Sequence, residues 1–75
     1  MMRFGGSIKF WNADRGYGFA TRDDGNGDVF LHIRELRDRE IDALPQGTRV
    51  EFEIGPNART GKTEAHDVIM INGSS

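Results

Sequence analysis

The 75 residues predict an all-β fold, a closed barrel of five antiparallel strands in one domain. Three observations carry this. Apolar residues recur with period two in short segments. Gly-, Asn- and Asp-rich turns separate those segments. No apolar stripe of helical period is wide enough to bury a helix. At this length closure is favoured over an open sheet, because it removes exposed edges.

The first strand is "SIKFWN" (7–12), with Ile8 and Phe10 read as inward and Lys9 and Trp11 as outward. "ADR" makes a tight connection to "GYGFAT" (16–21). "RDDGNGD" (22–28) is turn chemistry. "VFLHI" (29–33) sets Val29, Leu31 and Ile33 against Phe30 and His32. "RELRDREIDALPQG" (34–47) fits no strand; it reads as a helical turn near 34–37 and a loop pinned by Ile41 and Leu44. A helix over 35–43 is the alternative. "PQG" (45–47) suits a turn with proline at its second position. "TRVEFEI" (48–54) alternates cleanly, with Val50, Phe52 and Ile54 inward. "GPNARTGK" (55–62) is a polar loop. "TEAHDVIMI" (63–71) is the last strand, with a mixed pattern that implies a bulge. The ordered core is expected over about 5–72, with a frayed "NGSS" tail.

Composition narrows the function. Charged residues make up 29% and hydrophobic residues 36%, which suits a globular domain. There are no cysteines, so disulfides and thiolate metal sites are excluded, and a reducing cytoplasmic location fits. "MMRFGGS" lacks the apolar region of a secretory signal, and no apolar run has membrane-spanning length, so no membrane partner is expected. The net charge of -2 argues against a partner held mainly by bulk electrostatics, while leaving room for a local basic strip.

Tyr17 and Phe19 alternate with Gly16 and Gly18. Judged on that strand alone, the two rings read as core. Two facts turn them outward. Strand glycines mark close backbone approach, and Ala20 on their face suits a crowded interior. Phe30, His32 and Trp11 already point outward and need a companion surface. Flat rings of this kind stack on unpaired nucleobases, and a stacking surface tolerates many sequences.

These residues resemble the bacterial cold-shock protein family. "RGYGFA" (15–20) is similar to its first ribonucleoprotein motif, "VFLHI" (29–33) to its second, and "KFWN" (9–12) to the segment before the first. "DALPQGTRVEFEI" (42–54) fits the family's fourth-strand region, and the resemblance runs from about Gly6 to Ile71. It implies an oligonucleotide-binding (OB-fold) barrel whose outward aromatics stack bases, binding single-stranded RNA and DNA as a monomer. By position, the binding candidates are Lys9, Phe10, Trp11, Arg15, Tyr17, Phe19, Asp28, Phe30, His32, and Arg59 or Lys62 from the loop. The sequence departs from the family where Trp-Phe is reversed as Phe10-Trp11, a pair that a bulge would expose together. It departs again where Ile33 and Ile41 stand in place of rings, and where the 55–62 loop is longer. Fewer rings and an acidic balance predict weaker binding than in a typical member.

Other signals lead nowhere. "TGKT" (60–63) lacks the leading glycine of a phosphate loop and runs into a strand. "DDGNGD" (23–28) lacks EF-hand spacing. His32 and His66 are the only histidines, far apart in sequence, so no metal site is expected. No nucleophile stands beside a base, so no enzymatic activity, cofactor or small-molecule substrate is expected. The competing readings are a protein-interaction barrel using the same rings as anchors, and a module cut from a longer chain.

Overall fold

A computed structural model describes residues 2–71; the expectation of a frayed tail over 72–75 lies outside the described residues. The strands are β1 (Phe4–Asn12), β2 (Tyr17–Arg22), β3 (Asp28–His32), β4 (Arg49–Pro56) and β5 (Thr63–Met70). They close into a barrel in the order β1-β2-β3-β5-β4. A 3-10 turn, Ile33–Glu35, follows β3. No α-helix occurs among the described residues, so the 35–43 alternative is not realised, and no helix there is long and apolar enough to cross a membrane.

The expectation of wholly antiparallel strands needs correction. β3 and β5 pair in parallel, with Phe30 opposite Glu64, and Leu36 bridges Val68 in the same sense. The chain leaves β3 through the 3-10 turn and a long loop, crosses to β4, and returns beside β3 running the same way.

The core is the inward face that alternation predicts for β3 and β4. Val29, Leu31, Val50 and Phe52 are buried with Ile8, Ala20, Leu36, Leu44, Ala65 and Val68. Ile33, Ile41 and Ile54 pack half-buried against it. Leu44 thus pins the long loop, as its sequence suggested. The turn into β4 is anchored by Thr48 N–H donating to the Pro45 carbonyl, so proline opens this turn rather than taking its second position.

Two bulges shape the barrel. In β5 three residues span what two span in β4, between the pairs Glu51–Ile69 and Glu53–His66. Asp67 takes the extra place with φ 51°, held by Arg3 through its carbonyl at 2.9 Å and by Arg37 at its carboxylate. In β1 the register slips between Ile8–Ala20 and Phe10–Phe19, making Lys9 the extra residue.

Candidate nucleic-acid interface

The β1 bulge decides which rings face out. Ile8 is buried, Lys9 and Phe10 are both exposed, and Trp11 turns back toward the core. The alternation argument, with Phe10 in and Trp11 out, is therefore overturned, because the extra residue inverts the pattern from Phe10 onward. Trp11 packs across from Gly18, and its Nε1 is buried without a hydrogen-bond partner among the described residues. Gly18 is glycine because a Cβ there would lie 2.1 Å from the Phe10 carbonyl oxygen and 2.7 Å from Trp11 Cε3. Gly16 closes the hairpin at φ 72°, its N–H donating to the Asn12 carbonyl at 2.8 Å.

With the glycines inside, the alternate residues face outward. Phe10, Phe19 and Phe30 lie directly opposite one another across β1, β2 and β3, and Tyr17 lies opposite His32. Phe10 is 49% exposed and Phe19 38%, an unusual cost unless something covers them. The rings interlock. Phe30 stands 5.6 Å from Tyr17, 5.7 Å edge-on to Phe19 and 6.5 Å from His32, centroid to centroid. Five side chains from three strands thus form one ordered π surface.

His32 is fixed by its own turn. The Arg34 N–H donates to Nδ1 at 3.1 Å, which leaves Nε2 as the protonated, outward nitrogen. Desolvation, aided by the Arg34 charge, pushes its pKa down, so the ring is neutral at neutral pH.

The polar candidates frame this surface. Lys9 Nζ donates to Asp28 at 2.9 Å, and Thr21 Oγ1 donates to the other carboxylate oxygen at 2.9 Å. Those two bonds, Lys9's first, hold the Asp28 carboxyl below its usual range. Arg15 sits exposed in the β1–β2 hairpin, its backbone N–H bonded to Asn12 Oδ1. Asn57 organises the following loop by accepting from the backbone N–H of Arg59 at 2.7 Å and of Thr60 at 3.0 Å. Lys62 then lines a depression with Phe19 and Phe30, while Arg59 lines the adjoining one with Arg34 and His66. Of the sequence candidates, Trp11 alone turns toward the core, half-buried, while lining a depression with Lys9 and Phe10; the others lie on the ring surface, at its polar edge or in the adjoining loops.

Sequence reasoning missed Arg34 and Glu64. Glu64 is 2% exposed, opposite Phe30 on β5. It accepts from Arg34 Nη2 at 3.2 Å and from the Asn57 amide at 2.9 Å. His66, Glu35 and Glu64 also converge, with ligating atoms within 4.8 Å of one another, which sequence distance concealed. Each carboxylate meets a different ring nitrogen: Glu35 stands 3.2 Å from Nδ1, and Glu64 3.7 Å from Nε2. When His66 is protonated these contacts make an ion-pair bridge between the two carboxylates.

The "'Cold-shock' DNA-binding domain" family model matches residues 4–71. The chain belongs to the cold-shock domain family. It is 39% identical over 70 residues to "Cold shock-like protein CspE" of Escherichia coli, covering 93% of this chain and 100% of that protein. It is 44% identical over 54 residues to "Cold shock protein" of Arthrobacter globiformis, covering 72% of this chain and 81% of that one. The solved structure "drosophila Unr CSD456" shares the fold, with a TM-score of 0.77 at 20% identity; the match takes in 99% of this cold-shock domain and 29% of that chain. The family is one of nucleic-acid-binding domains. In this member the reversal to Phe10-Trp11 keeps an aromatic at the exposed position and sets the indole half-buried against the core, beside a depression it lines with Lys9 and Phe10.

Proposed function

We propose that this cold-shock domain binds single-stranded RNA and DNA by stacking bases on Phe10, Tyr17, Phe19, Phe30 and His32, and works as a monomer in the cytoplasm. The observation that carries the reading is the in-register row Phe10–Phe19–Phe30, with two of its rings held open to solvent. Each stacked base contributes about 1–3 kcal/mol, and a base already paired in duplex is unavailable to these rings. Lys9, Arg15, Arg59 and Lys62 stand where a bound strand's phosphates would pass. Few cations and a net charge of -2 make stacking the dominant attraction. Binding that favours unpaired strands shifts RNA away from paired states by mass action, the role of an RNA chaperone.

The test is anisotropy of a labelled short oligothymidine, with a duplex of equal length as control. Single-strand binding that Phe30→Ala weakens sharply, with folding intact, supports the reading. Equal binding of duplex, or no loss in Phe30→Ala, overturns it.

A further inference from the structure

A depression of about 500 Å³ opens at the β3–β5 end of the ring surface. Phe19 and Phe30 form its aromatic wall, Arg34, Asn57 and Lys62 bring N–H donors, and Glu64 lies at its floor. The size is that of a small-ligand site.

We propose that Arg34 reads the O6/N7 edge of a guanine stacked here, giving this end of the interface a base preference. The inference rests on the single-strand reading above. Arg34 is held in place along one edge. Its Nη2 stands 3.2 Å from Glu64, and its Nε stands 3.6 Å from Glu35. Nη1 makes no hydrogen bond among the described residues, and Nη2 meets one carboxylate only, the two Glu64 oxygens at 3.2 and 3.4 Å, which a single N–H can share. The outer Nη1/Nη2 edge is therefore available as a fixed, planar pair of donors.

Charge decides what that pair takes. The Arg34 guanidinium is already shared with two carboxylates, Glu35 and Glu64, so it draws a phosphate less than a cation unpaired among the described residues, such as Lys62, does. A neutral base edge needs no such free charge. Two adjacent acceptors are needed. Guanine offers O6 and N7, whereas adenine sets an amino group beside N7, and thymine has a lone O4 beside a methyl group. An unpaired cytosine offers N3 and O2, but the two-ring wall suits the larger purine. Lys62, at the rim without a carboxylate partner among the described residues, is left for the phosphate.

The test is a set of short oligothymidines carrying one substituted base, scanned along the strand, with affinities measured on the native protein. At one position guanine and hypoxanthine, which both keep O6 and N7, bind about tenfold tighter than adenine, cytosine or thymine. 7-Deazaguanine, lacking N7, loses most of that gain. Arg34→Lys keeps a cation over Glu64 but not the fork; it retains oligothymidine binding and loses the guanine advantage. Uniform affinity across all bases, a cytosine preference, or an advantage for guanine that hypoxanthine lacks overturns the inference while leaving single-strand binding intact. The base series needs no variant, so it stands even if Arg34→Lys unfolds. Failure to bind any oligonucleotide overturns the underlying reading, and this inference with it.

Discussion

The Trp11 indole occupies the space a side chain at position 18 would need: a Cβ on Gly18 would stand 2.7 Å from Trp11 Cε3. The same Cβ would meet the Phe10 carbonyl oxygen at 2.1 Å, a backbone atom that no rotamer change can move.

Gly18→Ala therefore destabilises the barrel by about 3 kcal/mol, at the upper end of overpacking costs. Urea unfolding followed by Trp11 emission measures it. A loss below about 0.5 kcal/mol would mean that β1 and β2 part without strain.

Phe30 contacts Tyr17, Phe19 and His32 yet is only half-buried. Phe30→Ala is expected to weaken oligothymidine binding by roughly tenfold to a hundredfold, the worth of one or more stacked bases. Its cost in stability is about 1 kcal/mol, from the lost ring contacts. Parallel binding and urea titrations separate the two effects.

Lys62→Ala should reduce the salt dependence of binding, lowering the slope of log K against log salt by about 0.7, the value for one phosphate on a single strand. Lys9→Ala should change the slope less, since Lys9 is already paired with Asp28 at 2.9 Å. Titrations at several salt concentrations check both, and equal slopes in Lys62→Ala and the parent would remove Lys62 from the phosphate path.

His66 carries the pH dependence of stability. Burial pushes its pKa down, but the Glu35 hydrogen bond and charge, the Pro56 carbonyl and the Glu64 charge together raise it above 6.5. Its contribution is therefore fully present below about pH 6.5 and drains away as pH climbs through the folded value. His32, with its pKa lowered, acts in the opposite sense, losing stability as pH falls through its unfolded value. The decisive quantity is the difference between the protein and His66→Asn, measured by urea unfolding at about pH 5.5 and about pH 8.5. The gap should be wide at the lower pH and narrow at the higher. Asp23, Asp28 and Asp67, held below 3.8 chiefly by bonds from Arg49, Lys9 and Arg37, stay ionised throughout.

Strands β3 and β4 were legible because their period-two pattern reflects a simple division between core and solvent; β2 misled by its own pattern, and its faces were assigned only from its glycines, Ala20 and the neighbouring outward rings. The bulge in β5 was legible from its broken pattern. The bulge in β1 was not, since "SIKFW" reads as regular alternation and only pairing against β2 exposes the slip. The parallel β3–β5 contact depends on how the barrel closes, which no local pattern encodes. Arg34 was not legible as a site residue because its partner, Glu64, is 30 residues away. A carboxylate next to Ala65 in a strand otherwise rich in core residues was the available signal of a buried ion pair.

Lys9 gives β1 a break in parity. Because Lys9 is the extra residue, deleting it would make Ile8 and Phe10 consecutive, opposite the consecutive Ala20 and Phe19, and every neighbour would keep its side. With Lys9 present but the slip lost, Phe10 would enter the barrel and Trp11 would be expelled. A one-residue deletion at Lys9 should thus keep the barrel, as circular dichroism would show, whereas one extra residue beside it should not. The outward ring at the head of the Phe10–Phe19–Phe30 row is specified by the register of β1 against β2, not by the chemistry of any side chain near it.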